Sequence, residues 1–136
     1  MADKIVTLRW TGEGLVFRGG ARPDTEVTLD SAGKVGPSPT EFLLLSLAGC
    51  MGVDVQMILE KSRVPVEALS VEVSGDRAPS EPRRFTAIKL VYEVAGPSDE
   101  HQPRLERAVA LSRDKYCSVL HSLQPDIELD IVIRRS

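Results

Sequence analysis

The chain has 136 residues, of which 42% are hydrophobic and 27% charged, and its formal net charge is -3. This length and composition predict a single folded domain over residues 1–136, whose core needs no disulfides, and exclude a disordered chain. Because nucleic acids and anionic membranes favour basic surfaces, the slightly acidic balance predicts neither as a partner.

The start of the chain and its two cysteines predict a cytoplasmic protein. Residues 4–8 are typical of a strand rather than of the apolar core of a signal peptide. The longest nearly apolar run, residues 42–53, is too short to span a bilayer. Thiols stay reduced in the cytosol, so Cys50 and Cys117 indicate redox chemistry or no special role, rather than a structural bridge.

The first third of the chain predicts three short strands, at residues 4–10, 15–18 and 26–29. Glycine-rich turns separate them. In the first strand the apolar residues alternate, which is typical of a strand with one face turned to a core.

The clearest local signal marks the start of a long helix. Ser38 is a favoured N-cap, Pro39 suits the first helical position and Glu41 the third, which together make a capping box. The helix is predicted to run to about Lys61, because Pro65 and β-branched residues follow. Capping alone accounts for Glu41, so that structural role is its default interpretation.

The middle of this helix predicts burial on every side. Between residues 42 and 53 the only polar side chain is Ser46, and a helix that is apolar all round is normally surrounded by protein. One chain of this size has little material to surround such a helix. We therefore expect a second copy of the chain to cover part of it.

The remaining elements complete an α+β order. Alternating apolar residues predict an antiparallel pair of strands, and an amphipathic helix with a short second helix follows it. A final half-buried strand comes after Pro125. The predicted ranges are 68–74 and 85–94 for the paired strands, 103–114 and 116–123 for the helices, and 127–133 for the last strand.

Cys50 lies in the buried helix between two glycines, which allow a substrate or another backbone to approach. The alternative is an inert buried cysteine. Asp54 is one helical turn away, and a nearby carboxylate raises a thiol's pKa unless a cation compensates. A reactive Cys50 therefore needs an arginine, for which the candidates are Arg18, Arg83 and Arg84.

Cys117 has two potential cations one turn away, Arg113 and His121. A nearby cation stabilises the nucleophilic thiolate, although both residues are equally typical of a solvated surface, which is the preferred interpretation for His121. The cysteines are 67 positions apart, with no C-x-x-C motif and only His101 and His121 to help. The sequence therefore predicts no metal site.

Four segments together carry a resemblance to a known family. They are residues 36–44 (GPSPTEFLL), 47–50 (LAGC), 82–86 (PRRFT) and 116–119 (YCSV). This pattern and the order of elements closely resemble the OsmC/Ohr family, that is, osmotically inducible protein C and the organic hydroperoxide resistance proteins. Within it the chain looks most like the OsmC-like subgroup.

The resemblance implies a fold and a reaction. The fold is an α+β intertwined homodimer with two long buried central helices flanked by antiparallel sheets. The implied reaction, in oxidative stress defence, is attack of Cys50 on an organic hydroperoxide, which gives an alcohol and a sulfenic acid. Cys117 then forms a disulfide, and an external dithiol or lipoyl-type reductant opens it. No bound cofactor or metal is implied.

The resemblance also implies catalytic roles for Arg18 and Glu41, with two departures. Arg18 lies in the region where the family has its catalytic arginine. The family's glutamate directly follows the proline at the helix start, where this chain has Thr40, and Glu41 comes one residue later. Ser118 replaces the proline that follows the second cysteine. These departures favour the alternative of a dimer that binds a small hydrophobic or sulfur-containing ligand without peroxidase turnover.

Overall fold

The computed structural model describes residues 1–136 and has a mixed α+β architecture with two three-stranded sheets. Its contacts divide the chain into two compact units, Met1–Leu43 and Leu44–Ser136. We call these the first and second unit and describe each by itself. The single domain expected from the chain length stays a prediction.

The first unit is an antiparallel sheet with the strand order β1-β2-β3. All three strands predicted in this region are present, as β1 (Thr7–Trp10), β2 (Val16–Gly20) and β3 (Val27–Asp30). β1 begins three residues later than predicted and is exposed along its whole length. The expectation that one face of this strand meets a core is therefore wrong within a single chain.

A buried carboxylate organises the loop that follows β3. Asp30 is only 3% exposed and accepts backbone N–H bonds from Ala32 at 2.9 Å and from Lys34 and Val35 at 3.1 Å each. These bonds hold the pKa of the Asp30 carboxyl below its usual value. The loop leads directly to the start of the long helix.

The long helix α1 (Pro39–Lys61) begins with the predicted capping box. The backbone N–H of Glu41 donates to Ser38 Oγ at 3.3 Å, and the backbone N–H of Ser38 donates to Glu41 Oε1 at 2.9 Å. These bonds satisfy donors that the first helical turn leaves without a partner. They also hold the pKa of Glu41 below its usual value.

The two sides of α1 differ in exposure. Four residues at four-residue intervals are fully buried: Leu47, Met51, Val55 and Leu59. The opposite side carries four exposed residues at the same spacing: Leu45, Gly49, Val53 and Met57. Within one chain α1 is therefore covered on one side only, and the expected burial of its other side by a second copy of the chain stays a prediction.

By length and composition alone, α1 meets the criteria for a helix that could cross a membrane. The core helix of a soluble protein meets the same criteria. The 42–53 run is shorter than a span, but the complete helix has 23 residues. This property is weak evidence for a membrane segment.

The second unit contains a mixed sheet with the strand order β4-β5-β6. β4 (Ala68–Arg77) and β5 (Phe85–Ala95) pair antiparallel as predicted, whereas β6 (Glu128–Arg135) runs parallel to β5. The sheet is therefore not wholly antiparallel. Because β5 lies between two strands, it supplies much of the core, including the four residues whose alternation the sequence displays. These are Ile88, Leu90, Tyr92 and Val94.

Two helices and a π-helical turn connect β5 to β6. α2 (Gln102–Leu111) buries the predicted apolar residues but ends three positions early. A π-helical turn, Ser112–Tyr116, follows it, and α3 (Ser118–His121) comes next. The backbone N–H of Cys117 closes the π-helical turn on the Ser112 carbonyl at 2.9 Å. A π-helical turn often lies at a functional site, and the residue that follows this one is Cys117.

Candidate functional site

The second unit brings together the two cysteines that lie 67 positions apart in the sequence. Cys50 is partly buried on α1, Cys117 is completely buried between the π-helical turn and α3, and both are free thiols. Their Sγ atoms lie within 4.8 Å of each other. A modest side-chain movement is enough to join them, because a disulfide needs about 2.05 Å between sulfurs.

Asp54 belongs to the same cluster. One of its carboxylate oxygens lies within 4.8 Å of both sulfurs, because Cys50 and Asp54 are one helical turn apart on α1. The hydroxyl of Ser112, which is fully buried, donates to Asp54 Oδ2 at 2.8 Å. Asp54 also lines a cleft of about 510 Å³ whose walls are mixed, with apolar residues such as Met57 and Ile58 beside the basic residues Lys61 and Arg107.

The environment of Cys117 favours the neutral thiol. Burial above all, with smaller contributions from Cys50 and Asp54, raises the pKa of Cys117 to about 11. The backbone N–H of Leu120 donates to Cys117 Sγ at 3.4 Å and acts in the opposite direction. The effect of burial on the pKa is larger than that of the Leu120 hydrogen bond, so the Cys117 thiol keeps its proton at neutral pH.

Tyr92 is a member of the site that the sequence did not reveal. Its side chain is fully buried in β5, and its hydroxyl has no hydrogen-bond partner. Burial raises the pKa of Tyr92, and the charges of Cys117 and Asp54 raise it further. Alternation along β5 predicts only that Tyr92 faces the core. The sequence did contain one sign of a special role. Tyr92 is the only inward-facing residue of that strand whose side chain carries a hydroxyl.

The two cations predicted beside Cys117 have other partners. Arg113 donates to both carboxylate oxygens of Asp114, at 2.7 and 3.0 Å. His121 donates from Nδ1 to the backbone carbonyl of Cys117 at 2.8 Å. His121 therefore supports the backbone at Cys117, in line with the structural interpretation of this histidine.

The other charged residues predicted for the site also have structural partners. In the first unit, Arg18 donates to the Thr28 hydroxyl and lies 3.9 Å from Glu26. In the second unit, Arg84 pairs with Asp126 at 2.6 Å. The catalytic role of Arg18 stays a prediction.

Arg83 and Glu41 are held by the backbone. Arg83 adopts a left-handed conformation with φ of 49°, and its N–H donates to the Ser80 carbonyl at 2.8 Å. Glu41 completes the capping box with Ser38. Capping alone explains the position of Glu41, and the catalytic role predicted for Glu41 stays a prediction.

Comparison with protein families gives a match over most of the chain. A model of the family described as "OsmC-like protein" matches residues 31–132, and these residues include both cysteines and Asp54. The chain belongs to the OsmC-like family.

This OsmC-like protein also has relatives of similar length. It is 36% identical over 123 residues to "Protein YhfA" of Escherichia coli strain K12, and the match covers 90% of each chain. A hypothetical protein from Aquifex aeolicus has a crystal structure that is 33% identical, with a TM-score of 0.85, covering 100% of this chain and 98% of that one.

A more distant structure extends the likeness in fold. An organic hydroperoxide resistance protein OsmC from Legionella pneumophila has a TM-score of 0.69 at 13% identity, covering 98% of this chain and 99% of that one. At this identity the similarity is one of fold. The family match and the likeness in fold therefore agree, and both include the segment that carries the two free thiols.

Proposed function

We propose that this OsmC-like protein reduces organic hydroperoxides to alcohols, with Cys50 as the attacking thiol and Cys117 as the resolving thiol. The observation that supports it is the placement of two free Sγ atoms within 4.8 Å of each other. Two thiols at this separation form a disulfide after small side-chain rotations. The family supplies the expectation that a peroxide is the oxidant.

The different burial of the two thiols supports this division of roles. Cys50 is partly buried, whereas Cys117 is 0% exposed, so a hydroperoxide reaches Cys50 more readily. The raised pKa of Cys117 keeps it protonated and unreactive toward peroxide at neutral pH. The apolar part of the cleft beside Asp54, formed by Met57, Ile58 and Leu111, suits the organic part of a substrate.

The proposed reaction has three balanced steps. The Cys50 thiolate attacks one oxygen of the O–O bond, which breaks, and the departing alkoxide takes a proton to become the alcohol. Cys50 is now a sulfenic acid. The Cys117 thiol condenses with it, forming the disulfide and releasing water. An external dithiol, of lipoyl type, then reduces the disulfide by thiol–disulfide exchange and becomes oxidised itself.

A cation beside the Cys50 thiolate is part of this proposal, because Asp54 opposes ionisation of thiols in the cluster. The family resemblance assigns that role to Arg18. Replacing it with methionine, which keeps the length and removes the charge, is expected to lower the peroxide rate. Arg22→Met is the matched control, since Arg22 is an exposed arginine of the same unit.

The proposal also includes a homodimer in the cytoplasm. The exposed side of α1 presents Leu45, Val53 and Met57, each at least half exposed in the single chain. This apolar stripe, with Gly49 in its middle, permits close approach of another helix, and a second copy of the chain is the occupant we propose. A reducing cytoplasm would keep two thiols at this separation from forming a permanent disulfide.

Single-cysteine variants test the proposed function. Cys50→Ser is expected to abolish consumption of cumene hydroperoxide. Cys117→Ser is expected to consume one equivalent per chain and stop, leaving a sulfenic acid that dimedone labels. Undiminished peroxide consumption by Cys50→Ser would exclude the mechanism, and continued turnover by Cys117→Ser would exclude Cys117 as the resolving thiol.

A further inference from the structure

The cluster that holds both thiols also has the donor set of a metal site. One ligand atom from each of Cys50, Asp54 and Cys117 lies within 4.8 Å of the other two. Around a tetrahedral Zn²⁺, with bonds of about 2.3 Å to sulfur and about 2.1 Å to oxygen, two sulfurs lie about 3.8 Å apart and a sulfur and an oxygen about 3.6 Å apart. The three side chains therefore need to close by at most about 1 Å.

The surroundings of these three ligands resemble the supporting contacts of a metal centre. Ser112 donates to Asp54 Oδ2 at 2.8 Å, which fixes the carboxylate and leaves its other oxygen free. Hydrogen bonds of this kind orient metal ligands and strengthen binding. Cys50 and Asp54 come from one rigid helix, so two of the three ligands are held at a constant spacing.

An unpartnered buried hydroxyl lies in the neighbourhood of the same cluster. Tyr92 is 0% exposed and its hydroxyl lacks a hydrogen-bond partner, although it lies close enough for Cys117 and Asp54 to act on it electrostatically. A metal held by three protein ligands keeps its fourth position for water. The Tyr92 hydroxyl is thus a polar group near the cluster that no protein atom satisfies.

We propose that Cys50, Asp54 and Cys117 bind a thiolate-preferring divalent cation of the Zn²⁺ type, with a fourth position open to water. Two thiolates select such ions over Mg²⁺ and Ca²⁺, which prefer oxygen. Binding releases two thiol protons to solvent. The site was not apparent in the sequence, because its third ligand is an aspartate on the cysteine's own helix rather than a histidine.

Metal binding and disulfide formation exclude each other at this site, since both use the same sulfur electron pairs. When an organic hydroperoxide oxidises the metal-bound form, the two thiolates give two electrons to the O–O bond. The reaction consumes two protons and yields the disulfide, the alcohol, water and the free cation. Metal binding itself requires no peroxide, so this inference does not rest on the proposed peroxidase activity.

Titration of the reduced, metal-free protein with Cd²⁺ tests the site directly. We expect a thiolate-to-cadmium charge-transfer absorption that saturates at one Cd²⁺ per chain and disappears when Zn²⁺ is added in competition. Oxidation to the disulfide beforehand is expected to abolish it. Absence of the band in the reduced protein, or its persistence in the disulfide form, would overturn the proposal.

Substitutions test which side chains bind the metal. Cys50→Ser and Cys117→Ser are each expected to weaken Cd²⁺ binding more than 100-fold, and Ser112→Ala by about 10- to 100-fold. Asp54→Asn, nearly the same shape, is expected to weaken it at least tenfold. Glu60→Gln is the matched control, because Glu60 is an exposed carboxylate on the same helix.

Circular dichroism of each variant establishes that it is folded before binding is compared. Native Cd²⁺ affinity in either single-cysteine variant would overturn the two-thiolate site. Equal affinity of Asp54→Asn and Glu60→Gln would remove the carboxylate from it. Because Cd²⁺ binding is measured on the reduced protein in the absence of peroxide, and peroxide consumption is measured in the absence of metal, failure here and failure of the peroxidase mechanism are distinguishable.

Discussion

The hydroxyl of Ser112 donates a hydrogen bond to Asp54 Oδ2 at 2.8 Å, across 58 positions of sequence. This bond ties α1, which carries Cys50, to the π-helical turn that ends at Cys117. The same turn closes with the N–H of Cys117 on the Ser112 carbonyl. Ser112 therefore holds both the carboxylate beside one thiol and the backbone of the other.

Ser112→Ala is expected to slow formation of the Cys50–Cys117 disulfide. The backbone bond from Cys117 remains, but the link to Asp54 is lost, and a partly buried carboxylate left short of a donor destabilises the protein by about 1 kcal/mol. The measurement is the rate at which free thiols disappear after one equivalent of hydroperoxide. Ser70→Ala, an exposed serine on β4, serves as control, and equal rates for the two variants would contradict the positioning role.

Structural elements that are determined by neighbouring residues could be predicted from the sequence. The contacts of the site join residues far apart in the sequence, and these could not be predicted. The capping box at Ser38 and Glu41 acts over one turn, and its residue types identify it. The parallel pairing of β5 with β6 and the Ser112–Asp54 bond join segments far apart in sequence, and no periodicity encodes them. The resemblance placed Cys50 and Cys117 in one site and helix spacing placed Asp54 beside Cys50, but the contact of Asp54 with Ser112 and the presence of Tyr92 nearby needed coordinates.

Tyr92→Phe is expected to stabilise the metal-free protein. The hydroxyl of Tyr92 is buried without a partner, and removal of an unsatisfied polar group recovers its lost hydration, which is worth about 1 kcal/mol or more. Urea unfolding at neutral pH measures the change. Tyr116→Phe, at a half-exposed tyrosine, is expected to change the free energy of unfolding by less than ~0.5 kcal/mol. A loss of stability in Tyr92→Phe would mean that the hydroxyl has a partner.

Cys117 is expected to resist alkylation until the pH is strongly basic. In the metal-free Cys50→Ser protein, burial and Asp54 still raise the pKa of the remaining thiol. Its rate of reaction with iodoacetamide should therefore keep rising with pH well above 8.5, where an ordinary cysteine is half ionised. Adding Asp54→Asn should move the profile to lower pH, whereas Glu60→Gln should not. A plateau near pH 8.5 without Asp54→Asn would contradict this expectation.

The same shift makes stability fall with rising pH. The folded Cys117 holds its proton up to about pH 11, whereas the unfolded chain releases it from about pH 8.5. Between these values the native state binds more protons, so the free energy of unfolding decreases as pH rises. Urea titrations across this window should show a smaller decrease for Cys117→Ala than for the parent protein. An equal decrease would assign the effect to other groups.

Glu41 is expected to act as a cap. Glu41→Gln keeps an oxygen that accepts the Ser38 N–H, whereas Glu41→Ala removes it, so the melting temperature should fall more for alanine than for glutamine. Because the Glu41 pKa is depressed in the folded state, its charge supports stability above the unfolded pKa, and this support is lost as the pH falls through the folded value. Glu41→Gln should lack that acid-dependent loss. A tenfold drop in peroxide rate for Glu41→Gln, with unchanged melting, would favour the catalytic role instead.

Val53→Glu is expected to separate the homodimer into single chains. Val53 is 58% exposed within one chain, so the substitution leaves the chain's own core intact. Under a second copy, however, an unpaired carboxylate becomes buried, which costs about 3 kcal/mol or more and weakens association at least about 100-fold. Light scattering after size-exclusion chromatography measures the mass. Gln124→Glu adds the same charge at an exposed loop position and should leave the mass unchanged. A dimer that survives Val53→Glu would mean that the apolar side of α1 is not the surface that joins the two copies.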